Sequence, residues 1–162
     1  MLFRPFRQGD YISAAGVEGT VREVTLFYTV LMTVDNKRIT VPNGGLMNAT
    51  ITDYSSEALR RADLCFTCAR SEAPGRVQAL LRETVLADAR VLPQPEPFAR
   101  LTGVTDRALE FTVRAWCRSE DYWALYYDLT QRITETMAEH RIPSPAVRVT
   151  TDAPSGKEGT SQ

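Results

Sequence analysis

Histidine is almost absent from this chain, with His140 alone, and cysteine is sparse, with Cys65, Cys68 and Cys117. A lone imidazole beside no GxSxG elbow and no phosphate-cradling loop leaves no nucleophile–base pair and no metal cluster. An enzyme is therefore not expected, and neither is a cofactor or a resident metal. An odd, low cysteine count argues against a disulfide framework and fits a reducing compartment. Cys65 and Cys68 form a CxxC, but Asp63 to Cys68 alternates as a strand does. Positions three apart on a strand point to opposite faces, so the two thiols are expected to diverge and pack as small hydrophobes. Long apolar runs are also missing. No stretch reaches the eighteen or so residues of a membrane span, and Met1 to Phe6 is too short and too broken for a signal peptide. A basic surplus is lacking as well. Nineteen Lys and Arg face twenty Asp and Glu, and only Lys37 and Lys157 are lysines. That balance weighs against a protein whose main work is coating nucleic acid.

What is present is ordinary globular material: 162 residues, 43% hydrophobic and 24% charged. This is about one domain's length, and enough to bury a core without staples. The first third reads as short strands: Tyr11–Ser13, Val17–Val24, Leu26–Val34, Arg38–Val41 and Thr50–Tyr54. Turns fall at Ala14-Ala15-Gly16, Asp35-Asn36 and Asn43-Gly44-Gly45. Pro42 has no N–H to give and is expected to stop the fourth strand. Leu26–Val34 is apolar on both faces, which predicts cover on both sides. Gly19 inside its strand predicts a bend or a close backbone approach. Five short, Gly-rich strands predict a small bent barrel.

From Ser55 onward the pattern changes. Arg61–Ala69 alternates as a strand. Ser71 is placed to cap a helix through Asp88, with Pro74 in its first turn. Leu92 to Pro97 reads as an extended loop, followed by strands at Phe98–Val104 and Leu109–Cys117. Ser119 is placed to cap a long helix whose buried stripe is Tyr122, Tyr126, Leu129, Ile133 and Met137. Glu120 and Asp121 suit its positive end. The order βαββα is a split-βαβ, ferredoxin-like arrangement. Val147-Arg148-Val149 reads as one more strand, and Thr151 to Gln162 as a disordered tail.

Several short motifs occur in fixed order: Arg4-Pro5-Phe6-Arg7-x-Gly9-Asp10-Tyr11-Ile12, Gly16-Val17-x-Gly19-Thr20-Val21, Thr33-x-Asp35-Asn36-Lys37, Ile39-x-Val41-Pro42-Asn43, Leu46-x-Asn48 and Ile51-x-x-Tyr54-Ser55. The second half adds Arg61-x-Asp63-Leu64, Pro95-x-Pro97 and Val113-Arg114-Ala115-Trp116, then the helix from Tyr122-Trp123 to Met137. In this order and spacing they resemble the cytoplasmic region of the small-conductance mechanosensitive ion channel family, over about residues 3–150.

The resemblance implies an α+β architecture. The end of a pore-lining helix would occupy 1–6, a small bent Sm-like β-barrel domain 7–56, and a ferredoxin-like α/β domain 57–142. A C-terminal strand joining neighbouring subunits would occupy 143–150, ahead of the tail at 151–162. It implies a homo-oligomer, usually a ring of seven, forming a vestibule whose side portals pass inorganic ions and small osmolytes. The vestibule would stand at the cytoplasmic side of the inner membrane, the pore helices being absent here and this chain by itself soluble. No nucleic acid is implied, although RNA binders also use small barrels and ferredoxin-like domains. The residues carrying the signature are Arg4, Pro5, Phe6, Gly9, Asp10, Gly16, Gly19, Asp35, Asn36, Pro42, Asn43, Asn48 and Trp116. Gly9, Gly16, Gly19 and Pro42 are expected to serve backbone geometry, and Asp35 and Asn43 to satisfy turns. Arg4 has two readings, a lipid headgroup contact or a solvated side chain. Trp116, Val147 and Val149 are candidates for a subunit interface.

Overall fold

A computed structural model describes residues 5–145 of the chain. Arg4, the strand expected around Val147 and Val149, and the tail from Thr151 lie outside the described residues.

The first sheet contains β1 (Tyr11–Ala14), β2 (Val17–Val24), β3 (Tyr28–Met32), β4 (Arg38–Pro42) and β5 (Ile51–Asp53), in the order β4-β3-β2-β1-β5 with every pair antiparallel. Its apolar face is built from alternate positions, Ile12 and Ala14 on β1 and Val21 on β2, closed by Phe6, Leu31, Val41 and Leu46. The register shifts between Val21 and Glu23, a bulge that bends β2.

Two expectations for this sheet are corrected. The third strand is five residues long and does not run from Leu26 to Val34. At its start, Thr25 Oγ1 accepts the N–H groups of Phe27 and Tyr28 and donates to the Tyr28 carbonyl, which turns the chain there. At its end, Thr33 exchanges hydrogen bonds with Lys37. Only Thr29, Val30 and Leu31 are covered on both faces, while Leu26, Phe27 and Val34 stand in the open. The second correction concerns Asn43-Gly44-Gly45, which is no turn. It opens the five-residue helix α1 (Asn43–Met47). Pro42 still pairs with Tyr28 as the last residue of β4. Its fixed φ then suits the residue before a helix, and Asn48 closes the far end by donating from Nδ2 to the Gly44 carbonyl at 3.0 Å.

The second sheet contains β6 (Leu59–Ala69), β7 (Phe98–Val104) and β8 (Ala108–Arg118) in the order β6-β8-β7. Both outer strands run antiparallel to β8, so they are parallel to each other, with α2 (Pro74–Leu86) crossing between them. Helix α3 (Tyr122–Glu139) follows β8 through a short 3-10 turn, Ser119–Asp121. Both helices pack on one face. Phe111, Val113, Ala115 and Cys117 of β8 meet Val77, Leu81 and Val85 of α2 and Leu125, Leu129 and Ile133 of α3. Each fully buried Val, Leu, Ile or Phe among them contributes roughly 1.5–3 kcal/mol. Of the stripe expected on α3, Leu129 and Ile133 are buried and Leu125 joins them, while Tyr122, Tyr126 and Met137 form a half-buried margin.

Neither serine expected as a helix cap performs that role. Pro74 holds Ala73 extended, at φ −76° and ψ 116°, so α2 starts at the proline. Ser71 is left in the turn closed by the Glu72 N–H on the Ala69 carbonyl. Ser119 donates from Oγ to the Glu57 carbonyl, and its N–H goes to the Ala58 carbonyl at 2.9 Å. It therefore fastens the start of α3 to the segment joining the two sheets. The architecture is α+β, and no helix among the described residues is long and apolar enough to cross a membrane.

Candidate functional site

The signature residues serve turns and close approaches. Phe6 is buried in the first core while Pro5 stays exposed. Gly9 has φ +97° and donates its N–H to Val21 at 2.8 Å. Ala15 and Gly16 both have positive φ, the requirement of a two-residue hairpin turn between β1 and β2. Asn36, at φ 65°, supplies the same conformation before β4. Asp35 takes the Lys37 ammonium at 2.7 Å and the Thr33 hydroxyl, and these two hold its carboxyl below the usual range. Asn43 does more than satisfy a turn. Its Nδ2 donates to the carbonyls of Thr25 and Leu26 at 2.8 and 3.0 Å, and its Oδ1 accepts the Thr29 hydroxyl at 2.8 Å. These bonds pin the exposed Leu26-Phe27 tip in one shape.

Trp116 lies half-exposed on the face of the second sheet that carries no helix among the described residues. Arg61, Asp63 and Cys65 of β6 and Thr112 and Arg114 of β8 share that face. Arg114 also lies 5.1 Å from the Phe98 ring centre. The face is largely polar and also carries the aromatic side chains of Trp116 and Phe98.

An open groove of about 1030 Å³ runs between the two sheets. Tyr11 and Tyr54 line one side, their rings 5.8 Å apart, and Trp123 and Tyr127 line the other, stacked at 5.9 Å. The Arg60 guanidinium sits 3.6 Å from the Tyr122 ring centre and 5.1 Å from that of Tyr54, bridging the two sheets through cation–π contacts. Partial burial raises the Tyr11 hydroxyl above its ordinary value, and the Glu18 carboxylate adds to this. Tyr127 and Arg60 escaped the sequence reading, and Trp123 entered it only as part of the motif Tyr122-Trp123, with no role. The available signal was the run Tyr122-Trp123 with Tyr126-Tyr127. On a helix it sets one aromatic pair toward the core margin and the next pair beyond it.

The CxxC thiols diverge as strand geometry requires, but only Cys68 packs as a small hydrophobe, while Cys65 is exposed because it lies on the face of β6 turned away from the helices; Cys117 is buried. Burial pushes both buried thiols up, with Glu72 adding to the effect at Cys68. Thiolates are the reactive form. A thiol reagent is therefore expected to label Cys65 promptly and the other two only after denaturation. Mass spectrometry of the labelled chain checks this, and prompt double labelling would refute it. Among the described residues there is no cluster of three or more metal-ligating side chains.

Comparison with known proteins agrees over both halves. Residues 1–56 match the family described as "Mechanosensitive ion channel, beta-domain", and residues 61–144 match "Mechanosensitive ion channel MscS, C-terminal". The small-conductance mechanosensitive channel of Edwardsiella ictaluri is 39% identical over 145 residues, which are 90% of this chain and 51% of that protein. An uncharacterized MscS family protein of Synechocystis is 32% identical over 145 residues, 90% of this chain and 49% of that protein. The crystal structure of Helicobacter pylori MscS in its closed state superposes with a TM-score of 0.82 at 23% identity, covering 92% of this chain and 60% of that one. The chain thus spans about half the length of the curated relatives it matches. With both of its sheets matched in order, the chain belongs to the MscS family of mechanosensitive ion channels.

Proposed function

We propose that this chain is the cytoplasmic vestibule region of a mechanosensitive channel that releases ions and small osmolytes under osmotic stress. In this reading residues 1–6 end the pore-lining helix, 7–56 and 57–142 form the two vestibule layers, and 143–150 join neighbouring subunits. Copies of the chain assemble as a closed homo-oligomeric ring, a heptamer, on the cytoplasmic side of the membrane. Side portals between the layers admit solutes by size and surface charge. The observation that carries the reading is contact surface left uncovered in one copy. The helix-free sheet face around Trp116 and the pinned Leu26-Phe27 tip both stand open. Repeated head-to-tail contacts between unlike surfaces close into a ring when the rotation permits.

A graft tests it. Residues 4–150 replace the matching region of an intact family channel in cells without other tension valves. The expected result is an oligomer of ring mass in detergent and survival of sudden dilution. A graft that assembles but never opens, with RNA copurifying with the isolated chain, would favour a nucleic-acid-binding module instead.

A further inference from the structure

Two segments enter and leave the first sheet side by side, and one carboxylate shapes each. Residues 7–10 lead into β1, where Asp10 Oδ2 accepts the Arg7 N–H at 2.7 Å. Residues 53–56 lead out of β5, where Asp53 Oδ1 accepts the N–H groups of Ser55 and Ser56 at 2.9 and 3.0 Å. The segments are tied to each other. The Tyr11 N–H donates to Ser55 Oγ at 3.0 Å, and the Tyr54 N–H to the Tyr11 carbonyl at 2.9 Å. Because Ile12 pairs with Asp53, Asp10 lies diagonal to Asp53 on the same face of the sheet. Asp53 Oδ2 is shut away from solvent and has no hydrogen-bond partner among the described residues. An acceptor stranded in this way is costly, and the group facing it is another acceptor. One added proton resolves the conflict, because protonated Asp53 donates through Oδ2 to the Asp10 carboxylate.

We propose that Asp10 and Asp53 form a proton-operated clasp between the segments entering and leaving the first sheet. With the proton on Asp53 the two segments are held together. When it leaves, two carboxylates oppose each other and the segments loosen. Burial first, and then Asp10 by hydrogen bond and charge, raises the Asp53 carboxyl above the ordinary range, while the Ser55 and Ser56 N–H groups pull it down. Asp10 supplies the charge acting on Asp53. Strand β1 sets the uncharged Ile12 opposite it, and the outgoing segment offers backbone donors. For a carboxyl raised in the folded state, the clasp's contribution to stability is full below the ordinary aspartate value. It is lost as pH rises through the raised one. Since residues 54–58 connect the sheets, the clasp sets how firmly the second sheet is attached to the first.

The test uses the whole 162-residue chain and follows the Asp53 carboxyl by NMR titration, together with hydrogen exchange at Tyr11 and Tyr54, whose N–H groups tie the two segments to each other. In the unaltered chain, protection of those amides, corrected for intrinsic rates, is expected to fall about threefold or more from ~pH 4 to ~pH 7. In Asp53→Asn the amide keeps an acceptor for the serine N–H groups and donates permanently toward Asp10, so protection should stay high and flat. In Asp10→Asn the new amide donates to Asp53, and the Asp53 titration should move down. An Asp53 carboxyl that titrates in the ordinary range and ignores Asp10→Asn would overturn the clasp. Amide protection in the unaltered chain as flat as in Asp53→Asn would do the same. If Asp53→Asn fails to fold, the titrations of the unaltered chain and of Asp10→Asn still decide.

Discussion

Gly19→Val is expected to destabilise the first sheet strongly. A Cβ at Gly19 would stand 2.7 Å from the Met32 carbonyl oxygen and 3.0 Å from its carbon, with Leu31 Cβ at 3.3 Å. The obstacle is main chain in β3, so no side-chain rotation relieves it. β3 is itself held by β2 on one side and β4 on the other. Alanine at this position forces a strand shift of the kind that costs about 1–3 kcal/mol. Valine adds two methyl groups to the same collision and is expected to exceed about 3 kcal/mol. Urea unfolding followed by far-ultraviolet dichroism measures both. A Gly19→Ala midpoint equal to that of the unaltered chain would show that the approach of the two strands is not tight.

Asp88→Ala is expected to weaken the second sheet's helical layer and to change how the chain responds to acid. The Asp88 carboxylate, only 5% exposed, accepts the backbone N–H and the guanidinium of Arg90 at 2.8–3.0 Å, and Arg132 from α3 at 3.3 Å. Arg90 reaches on to Asp128 of α3 at 2.8 Å. One buried carboxylate therefore joins the end of α2, the turn after it and the flank of α3. Removing a buried partner usually costs about 3–5 kcal/mol. Here the side chains of Arg90 and Arg132 are 28% and 45% exposed, and Arg90 keeps Asp128. The loss should therefore be smaller, about 2 kcal/mol. The bonds from Arg90 hold the Asp88 carboxyl below its usual range despite its burial, and Arg132 contributes. For a lowered carboxyl, the stabilisation is complete above the unfolded value and is lost as pH falls through the folded one. The acid limb of the stability curve should thus be shallower in Asp88→Ala than in the unaltered chain, and equal limbs would count against the network. This sign is opposite to that at Asp53, so acid weakens the second sheet while it closes the clasp on the first.

Where a local rule faces no competitor, these residues can be read directly. Leu109 to Cys117 alternates without interruption, and it became the central strand of the second sheet. Reading failed where two local rules met. Ser71 is a good cap by type, but Pro74 dictates the start of α2. Ser119 is another, but a carbonyl of the joining segment takes its hydroxyl. Leu26 to Val34 looks like one long strand because nothing in its apolar pattern reveals that Thr25 and Thr33 spend their hydroxyls on turns. The functional surfaces were the least legible. Asn43 matters through the carbonyls of Thr25 and Leu26, and Arg60 through rings on β5's exit and on α3. Such partners are settled only once both sheets exist. The orphaned oxygen of Asp53 likewise depends on which face of β1 it meets.

The pairing of β6 with β8 is unbroken from Leu59 opposite Arg118 to Ala69 opposite Ala108. Those partners are separated in the chain by α2, the long loop and all of β7. The first sheet, in contrast, grows largely from neighbours: β1 with β2, β2 with β3, β3 with β4. Closing distant contacts carries more loop entropy than closing hairpins, and topologies that depend on them fold more slowly. The two halves should therefore mature at different speeds. During synthesis the first sheet can assemble as it leaves the ribosome, whereas β6 waits with an open edge until β8 emerges. The interval before β8 arrives is when a nascent copy is most open to mispairing with its neighbours on a polysome.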